Sequence, residues 1–339
     1  MIETEDQLEE TLSRPAPEDV EAMRGLEGDL ILLGAGGKMG PSLARLARRA
    51  SDAAEVTRRI IAVSRFSEAG LAEALQRDGI QTIACDLVDR DGLERLPEAP
   101  NVIFMSGRKF GSTGAEWLTW AMNTLAPALA AERFRRSRIV AFSSGNVYPL
   151  TTPASGGPTE NHATGPIGEY AQSALGRERM FQYFSERYGT PVALLRLNYA
   201  IDLRYGVLRD IAEKVFHRRP VDLAMGHVNV IWQRDANSAA LRSLVHATSP
   251  PLVLNLTGAE ILAVRELARR FGEIFSVEPV FTGVEAETAL LSNASRCCRL
   301  LGAPRTSIHE MIRLVAHWVQ AGGRSLGKPT HFEARDGRF

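Results

Sequence analysis

The sequence of 339 residues lacks three features that would assign its class directly. Its three cysteines, Cys85, Cys297 and Cys298, give no disulfide framework, so we expect a reducing, cytoplasmic setting. No run of about 18 apolar residues occurs, and the initial MIETEDQLEE is acidic, so neither a membrane span nor a signal peptide is predicted. The seven histidines show no HExxH-like spacing and the cysteines no CxxC-like spacing, which predicts no protein-bound metal.

The sequence also lacks a net charge, because Lys and Arg total 40 and Asp and Glu total 40. A balanced surface has no field that attracts nucleic acid or an anionic membrane, so we expect neither as a partner. What is present is an ordinary globular composition, 45% hydrophobic and 24% charged. At this length a single core is near its limit, and two lobes are expected.

Apolar runs alternate with helical patterns along the first two thirds of the chain. Strands are predicted in LILLG, RIIAVSRF, IQTIACDL, NVIFMSG, RIVAFSSG and PVALLRL, with helices between them. This order predicts an α/β fold: a Rossmann-type doubly wound parallel sheet, followed by a smaller C-terminal α+β lobe. The expected units are a polar N-terminal leader, a dinucleotide-binding domain, a substrate-binding lobe and a tail, over residues 1–28, 29–198 with 228–256, 199–227 with 257–330, and 331–339 respectively.

A glycine-rich turn, GAGGKMG, directly follows the first predicted strand and opens a helix. Gly34 permits a tight turn, Gly37 lets a pyrophosphate approach the backbone, and Gly40 lets the helix pack closely. The N-terminus of that helix offers N–H groups and a positive dipole end to an anion. The turn therefore predicts dinucleotide binding by Gly34, Gly36, Gly37, Lys38, Met39 and Gly40. A Walker-type phosphate loop is excluded, because Met39 follows Lys38 where Ser or Thr is required.

The end of the second predicted strand bears on the choice of dinucleotide. Ser64 and Arg65 stand there, in place of an acidic residue that would accept hydrogen bonds from the 2′-hydroxyl of the adenosine ribose. A guanidinium beside a small hydroxyl suits a 2′-phosphate, so the sequence favours NADP over NAD. Asp86, after the third strand, is expected to bond to the adenine amino group.

These motifs occur in an order that resembles a known family, the extended short-chain dehydrogenase/reductases of the NAD(P)-dependent sugar epimerase/dehydratase type. GAGGKMG resembles the family's GxxGxxG, CDL its acidic motif after strand three, and SSGNVYP its SSxxVYG. EYAQSALGRE resembles YxxxKxxxE, with an alanine at the lysine position. LSNASRCCRLLGAP resembles a C-terminal family segment, so the matches run through most of the chain.

The resemblance implies a role for each matching residue. Ser144 would hydrogen-bond the reacting hydroxyl or carbonyl, and Tyr170 would be the acid/base while hydride passes to or from the nicotinamide. The cofactor would also contact residues near the strand ends, namely Leu87, Met105, Ser106, Gly107, Asn123, Tyr170 and Asn198. A homodimer is implied too, through the Tyr170 helix and the helix that carries Trp117 and Trp120.

Ala174 stands where the family has the lysine that binds the nicotinamide ribose and lowers the pKa of the tyrosine. A free tyrosine has a pKa of about 10, so little phenolate forms at neutral pH without that charge. Three hypotheses stay open. Another cation replaces the lysine, with Lys109 preferred over Arg177 and Arg108 because an ammonium enters a buried site more readily. Alternatively, Tyr170 acts only as a proton donor, which favours carbonyl reduction, or the protein binds a dinucleotide without catalysis.

The substrate motif also departs from the family. In GHVNVIWQRD, Val228 replaces the arginine that would bind the diphosphate of a nucleotide sugar. We therefore expect a sugar, a sugar acid or a similar polyhydroxylated small molecule, with the candidate ligands Ser144, Asn146, His162, Asn198, Arg204, His227, Asn229 and Trp232. The sequence predicts an NAD(P)-dependent epimerase, dehydratase or reductase; a catalytically silent dinucleotide-binding sensor or scaffold is the alternative.

Overall fold

A parallel sheet of seven strands forms the centre of the protein. The structure, a computed structural model, describes residues 1–109, 111 and 114–338. Its strands in chain order are β1 (Leu30–Leu33), β2 (Ile60–Ser64), β3 (Gln81–Ala84), β4 (Asn101–Phe104), β5 (Arg138–Ser144), β6 (Val192–Leu197), β7 (Ala200–Ile201), β8 (Val221–Asp222), β9 (His227–Val228), β10 (Ile231–Trp232), β11 (Leu252–Leu256), β12 (Leu262–Ala263) and β13 (Phe281–Thr282).

The large sheet has the strand order β11-β6-β5-β4-β1-β2-β3, with every neighbouring pair parallel. All four residues of β1 and of β4 are buried, because helices cover both faces of the sheet. The chain direction along the sheet reverses between β1 and β4, which creates a crevice at their carboxyl ends. This topology confirms the predicted Rossmann-type α/β fold.

Thirteen α-helices are found in the described part of the chain. They are α1 (Glu5–Ser13), α2 (Pro17–Gly25), α3 (Gly40–Ala53), α4 (Leu71–Arg77), α5 (Arg90–Glu94), α6 (Glu116–Trp120), α7 (Ala126–Arg133), α8 (Gly168–Tyr188), α9 (Val207–Phe216), α10 (Gln233–Ser243), α11 (Val264–Phe275), α12 (Ser295–Leu301) and α13 (Ile308–Gln320). A π-helical turn, Ala121–Leu125, joins α6 to α7, where the sequence predicts one continuous helix. None of these helices has the length and apolar character that a bilayer crossing requires.

The first 28 residues, expected as a polar leader, form α1 and α2, which pack on α3 and α10. Leu8, Leu12 and Met23 are fully buried at these contacts. Asp19 of α2 is buried as well and lies 3.1 Å from the guanidinium of Arg234 on α10. The segment is thus an integral layer of the fold that stabilises the helix following the glycine loop.

The second lobe has its own apolar core, built from α9, α11 and α13 around the short strand pairs. Residues 322–338, here named the C-terminal strap, return from α13 across this lobe. Phe332 of the strap is fully buried in the lobe core, although the sequence suggests only a short tail there. The backbone of Gly337 lies so close to Gly168 that a Cβ on Gly168 would stand 2.6 Å from its carbonyl oxygen. The strap therefore reaches the beginning of α8, the helix that carries Tyr170.

Candidate active site

One cavity of about 640 Å³ opens at the carboxyl edge of the sheet, beside the crevice between β1 and β4. We name it the site cavity. Both lobes and the strap contribute to its wall. Among the described residues that line it are Glu9, Gly34, Gly36, Gly37, Lys38, Met39, Met105, Gly107, Lys109, Ser144, Asn146, Tyr170, Arg177, Asn198, Arg204, Tyr205, Arg324, Lys328 and Thr330. The glycine loop and the Ser144 and Tyr170 side chains thus face the same space.

The glycine loop has the backbone that a dinucleotide pyrophosphate requires. Gly34 has a φ of 95°, and a Cβ there would lie 2.6 Å from the backbone nitrogen of Ser106, so only glycine fits. A Cβ on Gly40 would overlap the carbonyl oxygen of Ala35. A Cβ on Gly37 would meet only the Gly34 oxygen, at 3.5 Å, so the loop is open to an incoming phosphate at this position. The backbone of the loop therefore fits a bound dinucleotide.

A second cavity of about 360 Å³ lies at the carboxyl ends of β2 and β3. Arg65, Asp86 and Cys85 line it, and a guanidinium nitrogen of Arg65 is 3.8 Å from a carboxylate oxygen of Asp86. Ser64 faces the glycine loop, since its hydroxyl would overlap a Cβ on Gly36. Leu87 is buried in the apolar core, and its expected cofactor contact stays a prediction.

Ser144 lies at the end of β5 with its hydroxyl oxygen held by the next turn. That oxygen accepts hydrogen bonds from the backbone N–H of Asn146 at 3.2 Å and from its side-chain amide at 3.0 Å. Tyr170 lies in the first turn of α8 and is half-buried. The rest of α8 is anchored on β5, because the Ser143 hydroxyl donates to Glu178 at 2.6 Å. This bond fixes the helix to the strand that presents Ser144.

A buried network continues from Glu178 beneath the site. Arg196 of β6 donates to both carboxylate oxygens of Glu178, at 2.9 and 2.7 Å, and to the Tyr148 hydroxyl at 2.6 Å. Tyr148 in turn donates to Asn255 of β11 at 2.8 Å. Because the carboxylate has bidentate bonds to the guanidinium, the pair is a geometrically specific brace across three strands. Burial raises the pKa of Tyr148, so it remains a neutral donor in this network.

Ala174, at the position of the missing lysine, is buried against Val147 and Tyr148. The nearest cation of α8 is Arg177, which is buried and lines the site cavity. Its guanidinium donates to the Phe142 carbonyl at 2.7 Å and to the Asn123 side-chain oxygen at 2.8 Å. Burial lowers the pKa of Arg177, and the charges of Tyr170 and Glu178 oppose that shift. Arg177 and Tyr170 are thus electrostatically coupled.

Asn123 lies in the π-helical turn and is fully buried. Its side-chain oxygen also accepts from the Arg108 N–H at 2.8 Å, and its amide donates to the Arg108 carbonyl and to Ser173, both at 2.9 Å. Because all of these hydrogen bonds are made to other residues of the protein, Asn123 positions Arg177 and the segment after β4 rather than binding the cofactor directly. The π-turn matters because it aims this side chain inward, as such turns do at many functional sites.

Lys109 and Lys38 both line the site cavity. The Lys109 ammonium lies 3.4 Å from the Thr330 carbonyl of the strap. Burial lowers its pKa to about 8, partly opposed by the charges of Asp210 and Glu333. The Lys38 ammonium lies 2.8 Å from the Ala200 carbonyl, and burial likewise lowers its pKa to about 8. Both ammonium groups are therefore taken out of water at the cavity wall.

Four residues expected to bind substrate are not among the residues that line the site cavity. Trp232 is buried in the core of the second lobe, and Asn229 is fully buried with its amide bonded to the Glu260 carbonyl and the Ser292 N–H. His227 belongs to the strand pair β9 and β12, and His162 is an exposed loop residue. Trp232 and Asn229 thus serve the packing and hydrogen bonding of the second lobe, and the substrate roles expected for His227 and His162 stay predictions.

Asn198 and Arg204 do line the site cavity, but Arg204 is already engaged. It pairs with Asp202 at 3.0 Å and with Glu9 at 2.8 Å. Glu9 comes from α1, and the sequence gives no sign that this segment reaches the site. Arg324, Lys328 and Thr330 of the strap are also found at the cavity without having been predicted. The sequence signal available in α1 was a helical spacing of apolar residues, and the signal in the strap was a single aromatic residue.

The family model of the NAD dependent epimerase/dehydratase family matches residues 30–204, more than half of the chain. The protein therefore belongs to this family, as the motifs indicate, and it is an NAD-dependent epimerase/dehydratase by class. No curated protein sequence matches the chain at a significant level.

Solved structures share the fold at low sequence identity. The UDP-glucose 4-epimerase from Thermotoga maritima, solved with UDP-glucose, has 17% identity and a TM-score of 0.70, and the match covers 87% of this chain and 99% of that chain. A mutant of the UDP-glucuronic acid 4-epimerase from Bacillus cereus, solved with UDP-4-deoxy-4-fluoro-glucuronic acid and NAD, has 13% identity, a TM-score of 0.72, and coverage of 86% and 99%. The UDP-glucose 4-epimerase from Thermus thermophilus, solved with NAD, has 18% identity, a TM-score of 0.68, and coverage of 86% and 99%.

Proposed function

We propose that this protein is an NAD(P)-dependent epimerase/dehydratase-type oxidoreductase that acts on a sugar, a sugar acid or a similar polyhydroxylated molecule. One observation carries the proposal: the glycine loop, Ser144 and Tyr170 line a single cavity. The dinucleotide, when bound, supplies the hydride chemistry. The protein's part is to hold the reacting carbon near the nicotinamide, to bond its oxygen and to move its proton. The UDP-sugar ligands of the structural neighbours are compatible with a sugar substrate.

In this proposal Ser144 bonds the reacting oxygen. Its own oxygen accepts two hydrogen bonds from Asn146, so its O–H hydrogen points away from that turn and is available to a substrate oxygen. Tyr170 then takes the hydroxyl proton during oxidation or returns it during reduction. Asn146 acts through Ser144 by fixing the direction of its proton, which makes it a positioning residue.

We infer that Arg177, rather than Lys109, supplies the positive charge that the missing lysine would have supplied. Arg177 is electrostatically coupled to Tyr170 and follows Ala174 by three residues on the same helix. Lys109 instead lies against Thr330 of the strap and feels the charges of Asp210 and Glu333 in the second lobe. A guanidinium stays charged at every physiological pH, so it can stabilise the negative charge that develops on the Tyr170 oxygen during proton transfer without titrating itself.

Two further features belong to the proposal. Arg65 at the adenosine end has a side chain that is 66% exposed, and it can turn to a 2′-phosphate, which supports NADP over NAD. A homodimer is supported by exposed apolar side chains on α6, the π-turn and α8: Trp117, Trp120, Leu125 and Tyr183.

A silent dinucleotide-binding sensor or scaffold is the competing function, and Ala174 is the observation that favours it. The two are separated by measuring hydride transfer, as absorbance at the reduced-nicotinamide band, with a panel of free sugars, sugar acids and UDP-sugars. We expect turnover with one class, and a loss of about 100-fold or more in kcat for Tyr170→Phe with unchanged dinucleotide binding. Asn293→Ala, in a loop away from the site cavity, is the matched control. No turnover with any class of substrate would favour the sensor, whereas turnover that Tyr170→Phe leaves intact would overturn the role of Tyr170.

A further inference from the structure

Lysine is rare in this chain: only four of the 40 Lys and Arg residues are lysines, at positions 38, 109, 214 and 328. Three of the four, Lys38, Lys109 and Lys328, line the site cavity. Arginine carries the positive charge almost everywhere else. An ammonium differs from a guanidinium in being a compact point charge with three rotatable donors on a flexible stem. The concentration of lysine at one cavity indicates that this particular chemistry is used there.

The three lysines belong to three separate segments of the chain: the glycine loop, the segment after β4 and the strap. Lys38 belongs to the glycine loop, and its ammonium lies 4.0 Å above the ring of Tyr205. Lys109 contacts Thr330 of the strap. Lys328 precedes Thr330 by two residues, so at most about 7 Å of chain separates them. Lys38 therefore belongs to the glycine loop, while Lys109 contacts the strap segment that also carries Lys328.

The charged residues that line the site cavity are mostly cationic. Among the described residues that line the cavity, seven are cationic, and only Glu9 and Glu68 are anionic. Glu9 is already bonded to Arg45 at 2.9 Å and to Arg204 at 2.8 Å. Lys328 makes no hydrogen bond or ion pair with any residue inside the described ranges. Burial lowers the pKa of Lys109 to about 8, and the charges of Asp210 and Glu333 oppose that shift.

The strap is fixed firmly enough to present Lys328 as part of a site. Thr330 donates its backbone N–H and its hydroxyl to one carboxylate oxygen of Asp210, at 2.8 and 2.5 Å. Phe332 is fully buried two residues later. Arg335 donates to the Thr288 carbonyl at 2.5 Å and to the Thr288 hydroxyl at 2.8 Å. A segment with these three anchors holds its side chains at defined positions over the cavity.

We propose that the substrate carries an anionic oxygen group, a carboxylate or a phosphate, which binds between Lys109 and Lys328 in a subsite that the C-terminal strap completes. The inference rests on the proposed function and specifies its substrate class. It places the anion in a different position from Val228, which stands where the family motif has its arginine and is fully buried. The pyrophosphate of the dinucleotide is assigned to the backbone of the glycine loop, so the two anionic groups have separate sites.

The test is ligand binding to the full chain saturated with dinucleotide, measured by calorimetry. Three probes share one sugar ring: D-glucose, D-glucuronate and D-glucose 6-phosphate. We expect at least one anionic probe to bind about tenfold tighter than glucose, the size of a charge-assisted contact. Lys328→Gln removes that preference and leaves glucose and dinucleotide binding unchanged. Arg313→Gln is the matched control, because Arg313 is an exposed cation of α13 that does not line the cavity.

The two anionic probes separate the sources of the charge. Tighter binding of glucuronate identifies a carboxylate substrate, and tighter binding of glucose 6-phosphate identifies a phosphate. Equal binding of all three probes overturns the inference, as does a preference that Lys328→Gln leaves intact or that Arg313→Gln abolishes equally. Because the readout is binding, its failure differs from that of the proposed function: turnover that depends on Tyr170 with no anion preference would refute only the subsite.

Discussion

The two ends of the site cavity are built in different ways. At the cofactor end, one continuous loop between β1 and α3 supplies the backbone groups, and glycine is required there because a Cβ at Gly34 or Gly40 would overlap neighbouring backbone. At the substrate end, side chains come from α1, the segment after β4, the second lobe and the strap. A backbone site depends on a short local sequence, whereas a side-chain site depends on how distant segments meet. The first kind is readable as a motif and the second is not.

The two ends of the cavity also differ in how their side chains are held in place. The brace from Ser143 through Glu178 and Arg196 to Tyr148 ties α8 to the sheet, so Ser144 and Tyr170 are held by buried bonds at 2.6 to 2.9 Å. The substrate end is held instead by ion pairs such as Glu9 with Arg204 and by the strap. The groups proposed for catalysis thus rest on the hydrogen-bonded half of the cavity, and the groups proposed to select the substrate rest on peripheral segments, where sequence changes disturb the core least.

The largest effect is expected from a substitution that blocks dinucleotide binding at the cofactor end and leaves the substrate end unchanged. Gly37→Val places a branched side chain where a Cβ meets only the Gly34 oxygen at 3.5 Å, so the protein itself accommodates it. The side chain projects into the space where the pyrophosphate approaches the loop. We expect dinucleotide affinity to fall by about 100-fold or more, with a Tm within a few degrees of the parent. Titration of nicotinamide fluorescence and a thermal melt measure the two quantities.

Gly25→Val is the control for that experiment, because no atom lies within 4 Å of a Cβ at this helix position. It should leave dinucleotide affinity unchanged. If Gly37→Val binds the dinucleotide as the parent does, the loop is not the pyrophosphate site, and the division of the cavity into two ends is mistaken.

A second substitution tests the cation next to Tyr170, where the two ends of the cavity meet. Arg177→Met removes the charge coupled to Tyr170 and leaves the Phe142 and Asn123 oxygens without their donor. With a substrate that turns over, we expect kcat to fall about 10- to 100-fold and the pH needed for half-maximal oxidation to rise. Arg177→Lys, which keeps the charge, should recover the pH profile more than the rate.

The pH profile decides the role of Arg177, because a purely structural residue would lower the rate or the stability without moving it. The parallel variant Lys109→Met tests the other cation that the sequence offered. If Lys109→Met moves the pH profile and Arg177→Met does not, the lysine after β4 is the cation that serves Tyr170.

The sequence was sufficient for the sheet, for the glycine loop, and for the position of Ser144 and Tyr170 on the wall of one cavity. Each rests on a short contiguous motif, and the carboxyl ends of parallel strands meet at one edge by geometry. It was insufficient for Glu9 and Lys328, because nothing local to α1 or to the strap says which surface they cover. Asn229 and Trp232 were misjudged for a related reason: a polar or aromatic side chain in a small lobe suits a substrate and suits internal packing equally well.

The smallest expected effect lies at the adenosine end, where Arg65 distinguishes the two dinucleotides. The Arg65 guanidinium lies 3.8 Å from the Asp86 carboxylate at the rim of the smaller cavity and is largely exposed, so its contact with a 2′-phosphate is screened by water. We expect Arg65→Ala to weaken NADP binding about 3- to 10-fold and to change NAD binding less than twofold, measured by paired titrations at one salt concentration. Arg95→Ala, at the same cavity, is the matched control. A parent protein that binds NAD more tightly than NADP would show that Asp86, rather than Arg65, governs the adenosine end.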